Sequence, residues 1–404
     1  MTKPLIVLGV TGGIAAYKSA ELIRRLKEQD FEVQVIATAA ALKFVGDSTF
    51  SALSGNPVIS DLWDKPHDVE HVNIAKKASA IIVAPATADF LAHLVYGFAN
   101  DALLATLLVA KCPVVLAPAM HTEMWENPAT KENIATLRRR GYLIIDPATG
   151  ALTGPDSGVG RLPDPSEIAD VVKQVVNRKS NNLPKDLVGL NVLISAGGTR
   201  EKIDPVRFIG NGSSGKQGRA LAQSAIARGA KVTLVGANLN VNVPAGAEFV
   251  SADNANLMKE EMILRAPNAD VVIMNAAVAD YYVENPQTNK IKKGQDKINI
   301  SLTKTIDILS ELTKNKRVNQ YFVGFAAETV KNQTELIELS RLKLASKNCD
   351  LIVGNPVGHD LGIGQDLNSA VLVSKNLTEI VPEVDKLTLA DAIWDFVAKD
   401  LAKV

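Results

Sequence analysis

The stretch "PLIVLGVTGGIAAYKSAELIRRLKEQDFEVQVIAT" (4–38) contains three predicted elements in succession. Residues 4–10 and 31–38 are short apolar runs rich in β-branched residues, and 15–29 carries apolar residues at helical spacing. The short runs lack the alternation of a half-buried strand, which indicates parallel strands buried on both faces of a sheet. A strand, a glycine turn, a helix and a second strand form the repeating unit of a doubly wound α/β domain.

The same alternation continues through both halves of the chain. In the first half the further strands are predicted at 78–86 and 112–120, and the helices at 101–111 and 166–177. In the second half the strands are predicted at 190–199, 230–237, 269–280, 320–329 and 349–355, and the helices at 216–229 and 389–401.

A polar stretch with a proline and no periodicity separates the two series, and it predicts a linker at 179–188. The sequence therefore predicts two Rossmann-like, doubly wound parallel-sheet domains in tandem, at 1–178 and 189–404. The first would be flavodoxin-like. The halves do not form an obvious sequence repeat.

Composition excludes several classes of partner. The 404 residues include equal numbers of basic and acidic side chains, 44 of each, so no net field favours nucleic acid or an anionic membrane. No apolar stretch approaches the roughly 20 residues of a membrane helix. Cys112 and Cys349 are too few for a disulfide framework. These features predict a soluble, cytoplasmic protein that binds neither nucleic acid nor membrane.

Two stretches nearly match the phosphate-binding P-loop. "GNGSSGKQG" (210–218) has Gln217 where a serine or threonine would hold magnesium, and "GGIAAYKS" (12–19) has Tyr17 in place of the second glycine. Neither half offers a G-x-G-x-x-G turn with a ribose-binding acid, which argues against a tandem NAD-dependent dehydrogenase. The first turn lies between strand and helix, where backbone N–H groups can hold the phosphate of a mononucleotide such as FMN. Alternatively, this glycine turn binds no ligand and only allows the following helix to pack against the strand.

Longer motifs carry a resemblance to known families. In order, the first half contains "VTGGIAAYK", "HVNIA", "APATADF", "FANDALLAT", "APAMHTEMW" and "GVGRLPDP". This series resembles the flavin-dependent cysteine decarboxylases, especially phosphopantothenoylcysteine decarboxylases. The second half contains "SAGGTREKIDPVRFIGNGSSGKQG", "MNAAVADY", "KIKK", "VGFAAET" and "RLKLASKNCDLIVGN", which resembles phosphopantothenate–cysteine ligases. The fused order is similar to that of bacterial bifunctional proteins of coenzyme A biosynthesis.

The resemblance implies that the second half joins 4'-phosphopantothenate to cysteine with CTP, through an acyl-cytidylate and the release of pyrophosphate. Asn211 would donate to the acyl-phosphate oxygens, and Asp280, at the end of the strand predicted at 269–280, would accept hydrogen bonds from the nucleotide. The CTP phosphates would provide most of the ligands of Mg²⁺, and no protein side chain is assigned as a metal ligand. Three lysines with reach to a triphosphate are Lys290, Lys343 and Lys347. Further substrate- and nucleotide-binding candidates are Gly198, Ser213, Gly215, Ala276, Ala277, Ile306, Asp307, Ile308, Leu309 and Phe325.

The first half would decarboxylate the ligation product to 4'-phosphopantetheine, with FMN as the electron acceptor. His71 matches the histidine that the family uses for acid–base work, a task suited to a side chain that titrates near neutrality. His121 can bind a carboxylate as an imidazolium. The candidates for FMN binding are Gly12, Gly13, Thr38, Thr87, Asn100, Ala119 and Met120.

Two positions depart from the family pattern. His121 stands where the family usually has asparagine, and Gly154 stands where it usually has a reactive cysteine, six residues before Gly160. Three interpretations follow: another proton donor, a donor from a neighbouring subunit, or a first half that is catalytically degenerate and only binds or regulates. We favour an active decarboxylase whose proton donor is unassigned. The Gly- and Pro-rich stretch 152–165 is predicted as a long loop without secondary structure, which is typical of functional loops.

The resemblance also implies an assembly. Decarboxylases of this family bury FMN between the subunits of a trimer, and the ligase half pairs as a dimer. A homo-oligomer that combines both contacts, up to a dodecamer, is therefore expected.

Overall fold

The computed structural model describes residues 3–62, 70–152, 156–178, 185–292, 299–358 and 364–402. Its contacts divide the chain into two compact units, Met1–Pro184 and Lys185–Val404. The predicted linker, 179–188, spans this division, and 179–184 lie outside the described residues. Among the described residues, no helix is long and apolar enough to cross a membrane.

The first unit is built on a five-stranded parallel sheet with the strand order β2-β1-β3-β4-β5. The side chains of β3 are buried along its whole length, as expected for a strand covered on both faces. The strands are β1 (Leu5–Val10), β2 (Glu32–Ala37), β3 (Ala80–Ala86), β4 (Val114–Pro118) and β5 (Leu143–Ile144). This flavodoxin-like order confirms the predicted fold class.

Eight helices accompany this sheet in the described part of the first unit. Aspartate, asparagine or threonine caps several of them; the side chain of Thr87, for example, accepts the backbone N–H of Phe90 at the start of α4. The helices are α1 (Lys18–Glu28), α2 (Asp47–Ser54), α3 (Glu70–Lys77), α4 (Ala88–Tyr96), α5 (Ala102–Val109), α6 (Thr122–Glu126), α7 (Pro128–Arg139) and α8 (Pro165–Asn177).

Two local predictions for the first unit are wrong. The helix predicted from residue 15 begins as a 3-10 turn, Ile14–Tyr17, and becomes α-helical only at Lys18. The stretch 152–165 is not without secondary structure, because β7 (Ser157–Arg161) pairs antiparallel with β6 (Ala148–Ala151). Glycine makes this hairpin possible: a Cβ on Gly160, whose φ is +147°, would lie 2.0 Å from the carbonyl oxygen of Met120.

The second unit contains an eight-stranded sheet with the strand order β12-β11-β8-β13-β16-β17-β18-β19. Its first six strands are parallel, and five of them were predicted. The sequence analysis did not predict the edge strand β12, nor the two antiparallel strands that extend the other edge. These strands are β8 (Asn191–Gly197), β11 (Lys231–Ala237), β12 (Ala247–Ser251), β13 (Val271–Met274), β16 (Tyr321–Glu328), β17 (Leu351–Pro356), β18 (Leu367–Ser374) and β19 (Thr378–Asp385).

Two small hairpins and five helices complete the described part of the second unit. The hairpins pair β9 (Arg200–Lys202) with β10 (Phe208–Gly210) and β14 (Tyr281–Val283) with β15 (Leu302–Lys304). The helices are α9 (Lys216–Ala227), α10 (Ala255–Arg265), α11 (Ile308–Lys314), α12 (Gln333–Lys347) and α13 (Lys386–Leu401).

The strand predicted at 269–280 is much shorter in the structure, where β13 ends at Met274. A side chain of the neighbouring strand β8 takes the next backbone donors: the Ser195 hydroxyl accepts the N–H groups of Asn275 and Ala276, each at 3.1 Å. The chain therefore leaves the ladder early, and Asp280 lies in a loop rather than closing a strand.

Polar contacts fix α9 against α13. Arg228, whose side chain is 1% exposed, pairs with Asp186 and Asp395, and the Trp394 indole donates to the Leu221 carbonyl at 2.9 Å. A buried guanidinium needs such partners, since its desolvation is costly when it is unpaired. These contacts tie the middle and the C-terminal end of α9 to the middle of α13.

Candidate active sites

The first unit contains a cavity of about 820 Å³ at the carboxyl ends of its strands. The strand order reverses between β1 and β3, and the loops that follow these two strands line the cavity. This is where ligands bind in open α/β sheets. The volume is within the usual range for small-molecule and cofactor sites.

The glycine turn after β1 approaches its neighbours closely. A Cβ on Gly12 would lie 2.3 Å from the Ala40 Cβ, so this position tolerates only glycine without rearrangement. The Thr11 hydroxyl donates to the Pro85 carbonyl at 2.8 Å and accepts the Thr87 N–H at 3.1 Å. These bonds hold the turn against the end of β3. The first N–H groups of the following helical segment, which lack intrahelical partners, are therefore presented at a fixed place.

The structure brings together all seven residues predicted to bind FMN, together with His121. Pro85, Leu104 and Met124 add apolar surface to the same cavity. The predicted residues in the cavity wall are Gly12, Gly13, Thr38, Thr87, Asn100, Ala119, Met120 and His121.

His121 occupies the N-cap of α6 and is half buried, and its side chain makes no capping hydrogen bond. The preceding backbone is tied to the β6–β7 hairpin, because the Met120 N–H donates to the Gly160 carbonyl at 2.9 Å. Arg161, the next residue of β7, also lines the cavity. An imidazole and a guanidinium therefore border the same space, which suits a carboxylate ligand.

Lys18 is a cavity residue that the sequence analysis did not select. Its ammonium donates to the Leu162 carbonyl at 3.2 Å. Burial, followed by the nearby Arg161 charge, lowers the pKa of Lys18. At the first position of a helix, a single lysine gives no sequence signal, because such lysines are usually solvated.

The other catalytic candidate of the first half, His71, lies elsewhere. His71 is half buried on α3 and does not line the cavity. Cys112 packs at the edge of the core, and burial raises the pKa of its thiol, which makes it a poor substitute for a reactive cysteine. Gly154, which stands at the usual cysteine position, lies outside the described residues.

The second unit contains a cavity of about 740 Å³ beside the point where its strand order reverses, between β8 and β13. Its walls come from the loop before α9, the loop after β13, the segment 304–309 and α12. Thirteen predicted ligase residues line it: Asn211, Ser213, Gly215, Ala276, Ala277, Asp280, Ile306, Asp307, Ile308, Leu309, Phe325, Lys343 and Lys347.

Asn211 is exposed and held by one hydrogen bond, from its side-chain amide to the Val278 carbonyl at 3.0 Å. Gly198 does not line the cavity, but it lies under this loop: a Cβ at Gly198 would be 2.6 Å from the Asn211 carbonyl oxygen. Gly198 therefore allows the close packing that positions Asn211. An amide has two N–H donors, so Asn211 keeps one for a ligand.

Five lysines line the second cavity: Lys216, Lys304, Lys343, Lys347 and Lys386. Lys343 pairs with Glu328 at 2.7 Å, and Lys347 pairs with Asp307, which also caps α11. Each of the two lysines is thus held by a carboxylate partner, whereas their spacing alone indicates a solvated surface pair. A cavity with this concentration of cations suits a polyanionic ligand.

The remaining ligase candidate, Lys290, lies outside the cavity wall. The sequence analysis missed other polar residues of the wall, among them Gln217, Asn355 and Asn368. In the described parts of the chain, no group of three or more His, Cys, Asp or Glu side chains is arranged to hold a metal.

Comparison with known proteins identifies a family for each of the two units. Residues 1–177 match the family model for flavoproteins, and residues 187–401 match the model for the C-terminal domain of DNA/pantothenate metabolism flavoproteins. The chain is 46% identical over 401 residues to the coenzyme A biosynthesis bifunctional protein CoaBC of Mycolicibacterium smegmatis, with 97% of each chain covered. The chain belongs to this family of bifunctional proteins.

Other members are nearly as similar. The CoaBC protein of Haemophilus influenzae is 42% identical over 373 residues, which cover 92% of this chain and 91% of the relative. A crystal structure of the C-terminal domain of a CoaBC protein aligns with a TM-score of 0.46 and 36% identity, covering 55% of this chain and 100% of that one.

As a CoaBC family member, the chain is a bifunctional enzyme of coenzyme A biosynthesis with a flavoprotein first half, a decarboxylase activity and a ligase activity. The comparisons give no support to a degenerate first half, since the match to bifunctional relatives extends over 97% of the chain.

Proposed function

We propose that the cavity of the second unit joins 4'-phosphopantothenate to cysteine with CTP, and that the cavity of the first unit decarboxylates the product with FMN. The observation that carries this proposal is the pair of ligand-sized cavities with opposite character. The first has a glycine turn and apolar walls, whereas the second is lined by five lysines. An apolar ring system with one phosphate fits the former, and a triphosphate fits the latter.

The residues of the first cavity fit a flavin mononucleotide. The backbone of Gly12, Gly13 and Ile14 would hold the phosphate at the start of the helical segment, and Pro85, Met120 and neighbouring apolar groups would pack on the ring. When bound, the flavin supplies a two-electron acceptor that makes loss of the carboxylate possible. Thr38, Thr87 and Asn100 would bind its polar edges.

The protein's own part in decarboxylation is to orient the substrate. His121 and Arg161 would bind the substrate carboxylate, and the half-buried Lys18 adds a third cation at the same wall. His71 is outside this wall, so its predicted acid–base role requires contact with the cavity of a neighbouring copy. The apolar rim supports such a contact: Ile14, Tyr17 and Met124 line the cavity and are 59%, 61% and 47% exposed.

In the second cavity, Lys343 and Lys347 would bind the triphosphate, and Phe325 would stack on the base. Asn211 would donate to the acyl phosphate as negative charge develops there. Asp280 and Asp307 are the carboxylates of this wall that could share a Mg²⁺ with the CTP phosphates. Breaking the Lys343–Glu328 and Lys347–Asp307 pairs would release both lysines for the nucleotide.

Pyrophosphate release tests the ligase assignment. With CTP and Mg²⁺, we expect release that depends on 4'-phosphopantothenate and does not need cysteine for the first turnover. ATP in place of CTP is expected to give much slower release. A preference for ATP would refute the nucleotide assignment, and release without 4'-phosphopantothenate would refute the acyl-cytidylate.

A further inference from the structure

One wall of the second cavity is not used by the proposed nucleotide contacts. It is formed by the first turn of α9, by β18 and by the start of α13, which contribute Gln217, Asn368 and Lys386. This wall was not predicted from the sequence.

Two amide oxygens of this wall lack a partner. The Gln217 amide nitrogen donates to the Lys386 carbonyl at 3.2 Å, which fixes the orientation of its amide. The buried Gln217 Oε1 and Asn368 Oδ1 have no hydrogen-bond partner among the described residues. Asn368 is only 7% exposed. A buried acceptor without a donor is costly, so a ligand that supplies donors to these two oxygens would stabilise this wall.

The fold holds these groups together. In the β18–β19 ladder Leu367 lies opposite Asp385, so the neighbouring Asn368 lies beside the start of α13. The Gln217 hydrogen bond joins α9 to the same point. Residues of α9 and β18 therefore meet at the start of α13, and the three elements together form this wall.

Charged side chains of both signs lie near Lys386 in this wall. Burial lowers the pKa of Lys386; the Lys216 charge acts in the same direction, and Asp366 opposes them. Lys216 itself pairs with Asp366 at 2.5 Å. A partly desolvated ammonium and two hydrogen-bond acceptors thus belong to residues that line the same cavity.

We propose that Gln217, Asn368 and Lys386 form the subsite for the amine-bearing substrate of this cavity, a small zwitterionic α-amino acid. The two amide oxygens accept from its ammonium group, and Lys386 binds its carboxylate. The inference deepens the proposed ligase function and rests on it.

The acceptors favour an ammonium group over a phosphate group. The phosphate groups of the other two substrates carry acceptor oxygens, so they would leave both amide oxygens unsatisfied. An amino acid carries donors and a carboxylate a few ångströms apart, which matches the acceptors and the cation of this wall. The nucleotide contacts around Lys343 and Lys347 remain available for CTP.

The test uses the full-length enzyme with Gln217→Met and Asn368→Leu, which keep side-chain size and remove the acceptors. We expect the KM for cysteine to rise by about 10- to 100-fold, as for lost hydrogen bonds to a charged group. The rate of 4'-phosphopantothenate-dependent pyrophosphate release in a cysteine-free first turnover should stay within about twofold of wild type. An unchanged KM for cysteine, or an equal loss in the cysteine-free step, overturns the subsite.

Thr305→Val is the matched control. It removes a buried hydroxyl oxygen that has no partner among the described residues, at a position of the cavity wall outside the proposed subsite. The subsite predicts that this variant leaves the KM for cysteine unchanged. A similar rise in both variants would show that any polar loss in the cavity weakens cysteine binding.

Lys386→Met tests the role of the Lys386 charge separately from the role of the two amide oxygens. Cysteamine lacks the carboxylate, so the preference of the wild-type enzyme for cysteine over cysteamine should fall by about tenfold or more in this variant. An undiminished preference overturns the role of Lys386. If wild-type enzyme releases no pyrophosphate in the presence of 4'-phosphopantothenate, the ligase proposal itself fails.

Discussion

Asn211→Asp is expected to slow acyl-cytidylate formation by about 100-fold or more, the usual loss when one donor to a developing oxyanion is removed. Aspartate has nearly the same shape, but it removes both N–H donors and places a negative charge in the loop before α9. The hydrogen bond to the Val278 carbonyl, 3.0 Å in the structure, is lost as well. CTP affinity should change far less, because the lysines that would bind the triphosphate are untouched. Single-turnover pyrophosphate release and CTP titration measure the two effects separately.

Asn254→Asp is the control for this variant. Asn254 caps α10 and does not line the cavity, and aspartate is an equally good N-cap residue. The same change of charge should therefore leave pyrophosphate release unaltered. Turnover of Asn211→Asp equal to wild type would refute the assigned role of Asn211.

His121→Leu is expected to lower kcat/KM for decarboxylation by about 10- to 100-fold, through loss of a charged hydrogen bond to the substrate carboxylate. The flavin should remain bound, because the turn after β1 and the apolar wall are unchanged. The His121 side chain makes no capping hydrogen bond, so α6 should not be destabilised. Carbon dioxide release and the flavin absorbance of the purified variant are the two measurements.

His121→Asn restores the residue that the family usually has at this position, and it should retain most of the activity because an amide also donates to a carboxylate. Loss of activity in this variant together with full activity in His121→Leu would contradict the proposed contact. Loss of flavin from either variant would instead indicate a structural role for His121.

The parallel strands were predictable because burial on both faces imposes continuous apolar runs, as in 4–10 and 190–199. The antiparallel strand β19 gave no such signal, since it is largely exposed and its sequence carries charged residues. The neighbouring β18 does contain a short buried apolar run, 370–373, which the sequence analysis did not select. The early end of β13 depends on the Ser195 hydroxyl, which is distant in sequence. Local patterns cannot report a backbone donor that is taken by a side chain 80 residues away.

The contrast between local patterns and contacts distant in sequence also applies to the two candidate active sites. Glycine turns next to strand ends are local features, so Gly12 and the loop around Asn211 were recognised. Lys18, Gln217 and Asn368 are single polar residues in ordinary helical or strand sequences. Only the fold brings Asn368 beside the start of α13, and only burial distinguishes Lys18 and Lys386 from solvated lysines.

The central claim is that one chain performs both consecutive reactions, and the product of a single incubation tests it. The flavin-containing protein is mixed with 4'-phosphopantothenate, cysteine, CTP and Mg²⁺, and the products are identified by mass spectrometry. We expect 4'-phosphopantetheine, together with carbon dioxide, CMP and pyrophosphate. Accumulation of 4'-phosphopantothenoylcysteine without carbon dioxide, despite bound flavin, would contradict the account.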